Sequence, residues 1–509
     1  MKLADKAMLP ILETKVEITS AYKNSQNALI QFSILLLVSV LIIRLVSLAA
    51  YPLMDTTEAR YAEIARMMLE TGNWITPLYD YQIPFWGKPP MFAWLSAGSF
   101  SFFGVNEFAA RFPHFLVSLG NLALIWLLVY KGKIILTIQL KPYAWFTVAV
   151  FASTGGFIIV SGAVMTDAAL MFSVSLSMMA FWMNWHNKSR IWGYLFFLGL
   201  ALGMLSKGPV AIVLVGISLT LWLSFDYRWK KLLSCLPWKG GILLFVLIAL
   251  PWYLLAENAT PGFLDYFLIG EHFQRFVVSG WQGDLYGQAH DKPRGMIWFL
   301  WVFASLPWGP VLIYQVFKRL AKNRNKIPIH DENNQNTIAA EHTSYLWCWM
   351  LSPLLLFSFS GNILWSYVLP GIPALALLIA HYQSERPISL KIYHFFLGVP
   401  VLLLLIVLAL SMGLTSRSSE KLIIDAWKEQ PEFDFIPLTY IGKRPFSAQY
   451  YSQGQAQKSR LSLVEYLKVQ SDSFVVISRQ TILPLFEINQ YGCELRFSSQ
   501  KRSLLYCSN

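Results

Sequence analysis

A dense group of ionisable residues follows directly after the first long apolar run of this sequence. It contains Asp55, Glu58 and Arg60, with Glu63 and Arg66 one and two helical turns further on. Charges at the edge of a membrane mark functional sites more often than scaffolding, and carboxylates that reach a hydroxyl act as general bases. The alternative is a solvated interfacial helix whose charges form ion pairs. The spacing alone leaves both interpretations open.

The composition indicates a polytopic membrane protein. Of the 509 residues, 55% are hydrophobic and 14% are charged, whereas soluble proteins carry about 25% charged residues. The net charge of +12 does not indicate nucleic acid, because most lysines and arginines lie in short loops between apolar runs. That distribution is what the orientation of membrane proteins requires.

About 11 to 13 membrane spans are expected from runs that approach the length needed to cross a bilayer. The predicted spans are 28–51, 107–130, 141–161, 164–185, 190–206, 208–225, 239–256, 294–316, 345–360, 363–382 and 391–414. Segment 91–104 is apolar but short and is predicted to be interfacial or re-entrant.

Alternate loops are basic, which assigns them to the cytoplasm and assigns the two long loops, 52–106 and 257–293, to the outside. Several cations then lie on the outer side, against the orientation rule: Lys88, Lys207 and Arg275. A phosphate-bearing ligand at the outer membrane surface explains them most simply. Loose ion pairs with neighbouring acids are the alternative.

Three blocks follow from these patterns. Residues 1–27 form a cytoplasmic tail, 28–414 the membrane domain, and 415–509 an outer domain of soluble composition with short strands and a helix, hence a small α/β domain. Cys493 and Cys507 lie in this outer domain, where oxidising conditions permit a disulfide.

An ordered set of motifs resembles the polyprenyl-phosphate-dependent glycosyltransferases of the GT-C fold. The nearest branches are the lipid A 4-amino-4-deoxy-L-arabinose transferases and relatives of the protein O-mannosyltransferases. The resemblance covers nearly the whole chain and rests on segments 57–63, 72–74, 85–90, 165–167, 206–208, 271–276, 367–370 and 443–448. It implies a multi-pass protein of the bacterial inner membrane, with its active site and its C-terminal domain in the periplasm.

The resemblance implies a sugar donor on a polyprenyl (undecaprenyl) phosphate, whose phosphate must be met by cations at the membrane surface. Lys88, Lys207 and Arg275 are the expected phosphate ligands, with Arg60 and Tyr367 assisting. Preorganised cations would stabilise the charge that builds on the departing lipid phosphate. The expected acceptor is lipid A or another envelope component, such as lipopolysaccharide core.

The acids implied by the resemblance are Asp55 or Glu58 in the first outer loop and Asp167 at the start of a later span. The family has adjacent acids before its Arg-Tyr pair, but this chain has Thr57 before Glu58, so the choice between Asp55 and Glu58 stays open. Asp167 has a second interpretation, as a helix cap or an ion-pair partner of Lys207. If a lipid A phosphate is the acceptor, no base is required.

No cofactor is required by this chemistry, and a divalent metal stays open. Relatives in the aminoarabinose branch carry an acid before the Lys-Pro of the first loop, where this chain has Gly87. His272 beside Glu271 is then the remaining metal candidate, and zinc needs more ligands than these. His272 is therefore expected to be a polar residue of the substrate site.

Three other functions stay open. Transfer of the sugar to a protein hydroxyl is the first. A lipid-linked sugar transporter is the second, although its paired repeats and midplane polar residues are not apparent. A catalytically inactive envelope scaffold is the third, because the first-loop spacing departs from the family.

Overall fold

A computed structural model describes twelve stretches of the chain. They are 2–132, 134, 140–187, 189–226, 229–287, 290–323, 334–385, 387–413, 418–431, 436–470, 472–479 and 492–508. The predicted boundary between the membrane and C-terminal domains, at 414–415, lies outside these residues.

Helices dominate the first four-fifths of the chain. Helices α1 to α9 are Lys2–Ala50, Thr57–Thr71, Met91–Phe103, Glu107–Tyr130, Leu140–Ala152, Gly155–Val160, Thr166–Asn187, Arg190–Lys207 and Val210–Asp226. Helices α10 to α18 are Trp229–Cys235, Trp238–Ala259, Arg275–Val277, Met296–Ser305, Trp308–Asn323, Asn334–Phe357, Ile372–Glu385, Leu390–His394 and Gly398–Ser411. A π-helix, Asp265–Gln274, precedes α12, and 3₁₀ turns at Trp365–Gly371 and Phe395–Leu397 precede α16 and α18.

Six of the described helices are long and apolar enough to cross a membrane. A seventh span is formed if the bent pair α13 and α14 counts as one, with its 105° bend at Pro307, where proline cannot continue a helix. The other predicted spans coincide with α5 and α6 together, α8, α9 and α15, which are not among these six helices. Helix α7 is 94% buried over its apolar window, so it forms the centre of the bundle.

The first outer loop folds into α2, a small hairpin of β1 (Leu78–Asp80) and β2 (Ile83–Pro84), and the short apolar helix α3. The charged face of α2 is ion-paired but not solvated. Arg66 and Glu63 are 4% and 0% exposed and form two hydrogen bonds, 2.7 and 2.8 Å long. The interpretation of α2 as a solvated surface helix is therefore wrong, because the C-terminal domain covers this face.

Over its described residues, the C-terminal domain consists of a five-stranded sheet and three short helices. Its strands β3 to β7 are Leu438–Ile441, Gln457–Ser459, Ser473–Ser478, Cys493–Ser498 and Arg502–Cys507, and helices α19 to α21 are Lys421–Lys428, Phe446–Tyr451 and Leu463–Leu467. The strand order is β4-β3-β5-β7-β6, with β3 parallel to both neighbours and β7 antiparallel to both of its own.

A disulfide joins Cys493 to Cys507, as the sequence predicted. The two cysteines face each other across the antiparallel pair β6 and β7. The helix α21 lies in this domain, as the sequence predicts for a domain of strands and a helix, and it begins with a capping box in which Ser462 and Glu465 exchange hydrogen bonds.

Ion pairs tie this domain to the membrane bundle's outer face. Arg444 contacts Asp80 of the first-loop hairpin at 2.6 Å, and Lys421 contacts Glu107 at the start of α4, also at 2.6 Å. The domain therefore packs behind α2 and holds the first outer loop against the bundle.

Candidate functional site

A cavity of about 230 Å³ opens where four outer elements meet. The segment of the first outer loop between β2 and α3, the C-terminus of α8, the π-helix and the 3₁₀ turn before α16 each contribute a polar side chain. The polar residues that line it are Lys88, Lys207, Glu271, His272, Arg275, Ser360, Asn362 and Tyr367. Five of the six residues predicted to bind the donor phosphate or the substrate thus line one cavity, and the sixth, Arg60, does not.

Lys207 ends α8 and reaches towards the start of α7. Its Nζ atom lies 2.6 Å from Asp167 Oδ1 and 4.8 Å from the centre of the Tyr367 ring. Asp167 is 5% exposed, and it is the one predicted acid that contacts a cation of the cavity. The ion pair considered for Asp167 is therefore present.

His272 fixes the end of α8 through the backbone of Lys207. Its Nε2 atom lies 3.1 Å from the Lys207 carbonyl oxygen, and its Nδ1 atom lies 2.7 Å from the Phe267 carbonyl oxygen. Gly208 makes this approach possible: its φ is +83°, and a Cβ there would lie 2.9 Å from His272 Nε2. The Lys-Gly pair at 207–208 thus places the lysine at the cavity.

Glu271 lies between two of the cations. Its Oε2 atom is 3.3 Å from Lys88 Nζ and 2.8 Å from Arg275 Nη1. Burial alone would raise the pKa of Glu271, but Lys88 and Arg275 hold that pKa below its usual range. The carboxylate is therefore charged at neutral pH.

Asn362 positions Arg275 from the 3₁₀ side of the cavity. Its Nδ2 atom donates to the carbonyl oxygens of Arg275 and Val278, at 2.5 and 2.7 Å. Within the described part of the chain, the buried Nε of Arg275 has no hydrogen-bond partner. A buried donor without a partner is costly, so this guanidinium has donor capacity to offer an anion.

Arg60 does not line the cavity, contrary to its predicted role as an assisting phosphate ligand. Its Nη1 atom donates to the carbonyl oxygen of Tyr286, at 2.8 Å, and its guanidinium lies 5.3 Å from the centre of the Tyr61 ring. Tyr286 in turn accepts from the Trp86 amide and donates to the Pro84 carbonyl. Arg60 therefore joins the two outer loops beside Lys88.

Glu58 is held away from the cavity by Arg111 of α4. Two hydrogen bonds of 2.8 and 2.9 Å join the carboxylate to the guanidinium, and Glu58 Oε2 also accepts from the Met54 amide. Arg111 is fully buried. Both carboxylate oxygens are occupied, and Glu58 does not line the cavity.

Asp55 faces the C-terminal domain rather than a sugar site. Its carboxylate accepts from the amide and from the hydroxyl of Ser447, and its own amide donates to the Ser418 carbonyl. Burial raises the pKa of Asp55. Neither of the two predicted first-loop acids, Asp55 and Glu58, therefore lies on the cavity.

The geometry does not support His272 as a metal ligand, because both ring nitrogens face backbone carbonyl oxygens. Among the described residues, no three His, Cys, Asp or Glu side chains lie together as metal ligands would.

Sequence reasoning named Glu271 only as a metal candidate beside His272, and it missed Asn362 and Asp284, whose Oδ2 atom lies 3.4 Å from Arg275 Nη1. One signal was available, because Glu271 and Arg275 stand four residues apart on a helical segment, a spacing at which opposite charges pair. Asn362 and Asp284 gave no local signal.

Known proteins resemble this chain in sequence and in fold. Residues 28–267 match the family described as dolichyl-phosphate-mannose-protein mannosyltransferase. An undecaprenyl phosphate-α-4-amino-4-deoxy-L-arabinose arabinosyl transferase of Enterobacter sp. is 30% identical over 395 residues, which are 74% of this chain and 65% of that protein. A protein of the same description from Pseudomonas fluorescens is 31% identical over 69% of this chain and 59% of its own length. The match thus spans less than two thirds of each relative.

A solved structure shares the fold. The crystal structure of ArnT from Cupriavidus metallidurans bound to undecaprenyl phosphate aligns with a TM-score of 0.71. The alignment has 17% sequence identity and covers 93% of this chain and 97% of that one. The predicted fold class, a helical membrane bundle with a small C-terminal α/β domain, is confirmed.

Proposed function

We propose that this chain, which is similar to these lipid-linked sugar transferases of the GT-C fold, is an inverting glycosyltransferase. The donor is a sugar on a polyprenyl phosphate, and the acceptor is an envelope component, most simply lipid A or lipopolysaccharide. The sugar named by the relatives is 4-amino-4-deoxy-L-arabinose, which we propose as the first donor to test.

The convergence of Lys88, Lys207 and Arg275 on one cavity carries this proposal. The lipid phosphate is the leaving group, and its negative charge increases as the bond to the sugar breaks. Cations fixed by ion pairs need little rearrangement at that moment, so they stabilise the transition state more than the donor. The partnerless Nε of Arg275 supports an anion as the ligand.

Asp167 is the acid that we propose for the reacting face. It is held 2.6 Å from Lys207, so its carboxylate lies next to the proposed phosphate position. If the acceptor attacks through a hydroxyl, Asp167 takes the proton. If it attacks through an ionised phosphate oxygen, no proton need be removed, and Asp167 orients the sugar.

Transfer to a protein hydroxyl is the second candidate. The match of residues 28–267 to the protein mannosyltransferase family favours it. The two candidates share the donor site and differ in the acceptor, so the cavity serves both.

We place the chain in the bacterial inner membrane, with the cavity and the C-terminal domain on the periplasmic side. Alternate basic loops support this orientation. The disulfide Cys493–Cys507 supports an oxidising compartment for the C-terminal domain.

The test is lipid A mass spectrometry of cells that express the wild type, Lys88→Ala, Arg275→Ala or no protein. Removing one preorganised group that stabilises the transition state lowers turnover by about 10²–10³-fold, so both variants should lose the added sugar mass. Lys292→Ala is the matched control, because Lys292 is an exposed cation of the same outer loop as Arg275 and does not line the cavity.

Unchanged lipid A on deletion would overturn lipid A as the acceptor, and a lost protein glycan would then support the second candidate. If both cavity variants transfer sugar at the wild-type rate, the donor-site assignment is wrong.

A further inference from the structure

The cations of the cavity are not free charges, because each is held by a carboxylate. Glu271 holds Lys88 and Arg275, and Asp167 holds Lys207. Asp284 is a second partner of Arg275, at 3.4 Å, but it does not line the cavity. The three cations are thus matched by three acids, and the local formal charge is balanced.

Glu271 is the carboxylate with the most direct bearing on a bound phosphate. It lines the cavity and is 9% exposed. Arg275 Nη1 donates to both of its oxygens, at 3.0 and 2.8 Å, while Lys88 Nζ lies 3.3 Å from Oε2. Any phosphate that contacts these two cations must share them with Glu271.

We propose that Glu271 is a specificity-determining counter-anion, which competes with the lipid phosphate for Lys88 and Arg275 and thereby limits the affinity for the more highly charged product. This proposal rests on the proposed function. The sugar-linked donor is a phosphodiester with one negative charge, whereas the released polyprenyl phosphate has up to two.

A fixed carboxylate repels a dianion more strongly than a monoanion. It therefore acts as the repulsive element that discriminates between two ligands with the same lipid chain. As the product leaves, the ion pairs of Glu271 with Lys88 and Arg275 remain, so neither cation is left buried without a counter-charge. Release of a tightly held anion becomes easier for both reasons.

A general base is the other role that a carboxylate at this position could have. Glu271 is poorly suited to it, because both of its oxygens accept from Arg275 and one also contacts Lys88. Carboxylates stabilised by two cations are weak bases.

The experiment measures the dissociation constant for undecaprenyl phosphate with the purified full-length chain. The proteins are the wild type, Glu271→Gln, Glu271→Asp and, as a control for net charge, Asp291→Asn. Asp291 is exposed on the same outer face and pairs with Ser279 instead of a cavity cation. Each protein is first checked for a monodisperse, cooperatively unfolding state.

Glu271→Gln should bind undecaprenyl phosphate about 10- to 100-fold more tightly, the factor that corresponds to the loss of one competing charged hydrogen-bond partner. Turnover should fall as product release slows. Glu271→Asp keeps the charge but shortens the reach to both cations, so its affinity should lie between the other two. Asp291→Asn should bind like the wild type.

A residue with a merely structural role would weaken binding on substitution, so tighter binding is the diagnostic result. Unchanged or weaker binding by Glu271→Gln overturns the proposal, and if that variant does not fold, the same criterion applies to Glu271→Asp. Lys88→Ala separates the two levels. If the wild type and Lys88→Ala bind equally, the proposed donor site itself fails. If Lys88→Ala loses binding and Glu271→Gln binds no more tightly than the wild type, only the role of Glu271 fails.

Discussion

Replacing Glu58 with glutamine is expected to destabilise the chain while leaving the proposed chemistry in place. Among the described residues, Glu58 is the only carboxylate that pairs with the guanidinium of Arg111. Arg111 is fully buried between α1, α2 and α4. The pair joins the exit of α1 to the start of α2. Its loss would therefore affect the packing of the first outer loop and not the cavity cations.

The magnitude follows from the geometry of the pair. Removing one partner of a buried ion pair costs about 3–5 kcal/mol, because the remaining charge is uncompensated. Two features reduce this cost: 12% of the Glu58 side chain is exposed, and Arg111 keeps hydrogen bonds to the carbonyl oxygens of Leu48, Tyr51 and Pro52. We therefore expect a loss of about 2–4 kcal/mol in the free energy of unfolding.

The assay is thermal inactivation of the purified chain in detergent, read as the half-life of the folded state at a fixed temperature, since large membrane proteins often unfold irreversibly. Binding of undecaprenyl phosphate is measured on the surviving folded fraction. Glu70→Gln is the matched control on the same helix. Glu70 is 46% exposed and shares Arg66 with Glu63, so its loss should cost less than about 1 kcal/mol.

Two results would refute this reasoning. A Glu58→Gln protein that is as stable as the wild type would show that the ion pair contributes nothing measurable. A stable Glu58→Gln protein that binds undecaprenyl phosphate normally but no longer transfers sugar would restore Glu58 as a catalytic residue.

Three further predictions concern the cavity. Asp167→Asn should lower turnover by about 10²–10⁴-fold if the acceptor is a hydroxyl, measured as transfer by the purified chain; a rate within a few-fold of wild type would exclude a base. Gly208→Ala should cost about 1–3 kcal/mol in stability and weaken undecaprenyl phosphate binding, because the φ of Gly208 is +83°. The control is Gly216→Ala, which should leave binding unchanged because an added Cβ at Gly216 would meet open space. Burial raises the pKa of Glu271, but Lys88 and Arg275 lower it further than burial raises it. The ion pairs of Glu271 should therefore stabilise the fold fully above the pKa of the unfolded chain, about 4.3. That stabilisation should be lost as the pH falls through the lower pKa of the folded chain. Thermal unfolding between pH 6 and pH 3 should show this acid-dependent loss in the wild type but not in Glu271→Gln.

The cavity cations were predictable from the sequence because of where they lie along it. Lys88, Lys207 and Arg275 stand on the outer side, where the orientation rule disfavours positive charge. A cation that departs from this rule needs an anionic partner, either a neighbouring acid or a ligand, and the ordered family motifs pointed to a lipid phosphate as the ligand. The bundle was predictable for the same kind of reason, since the length and apolarity of each run decide whether it spans a bilayer.

The roles of Asp55 and Glu58 were not predictable from local sequence. Their partners are Ser447 and Arg111, which are 392 and 53 residues away along the chain. An acid next to an Arg-Tyr pair has the same appearance in sequence whether it faces a substrate or a buried guanidinium. Only the packing of α4 and of the C-terminal domain against α2 distinguishes the two cases.

The charges on the outer face therefore divide by the identity of their partners. Glu58 neutralises a cation that is buried away from any cavity, where the pair can only join elements. Glu271 and Asp167 neutralise cations that line a cavity, where a phosphate can compete for the same donors. An ion pair whose cation lines a cavity can exchange its carboxylate for a bound anion, whereas an ion pair whose cation is fully buried cannot. The chemistry of this chain is therefore expected to lie with Glu271 and Asp167, and the rigidity of the first outer loop with Glu58.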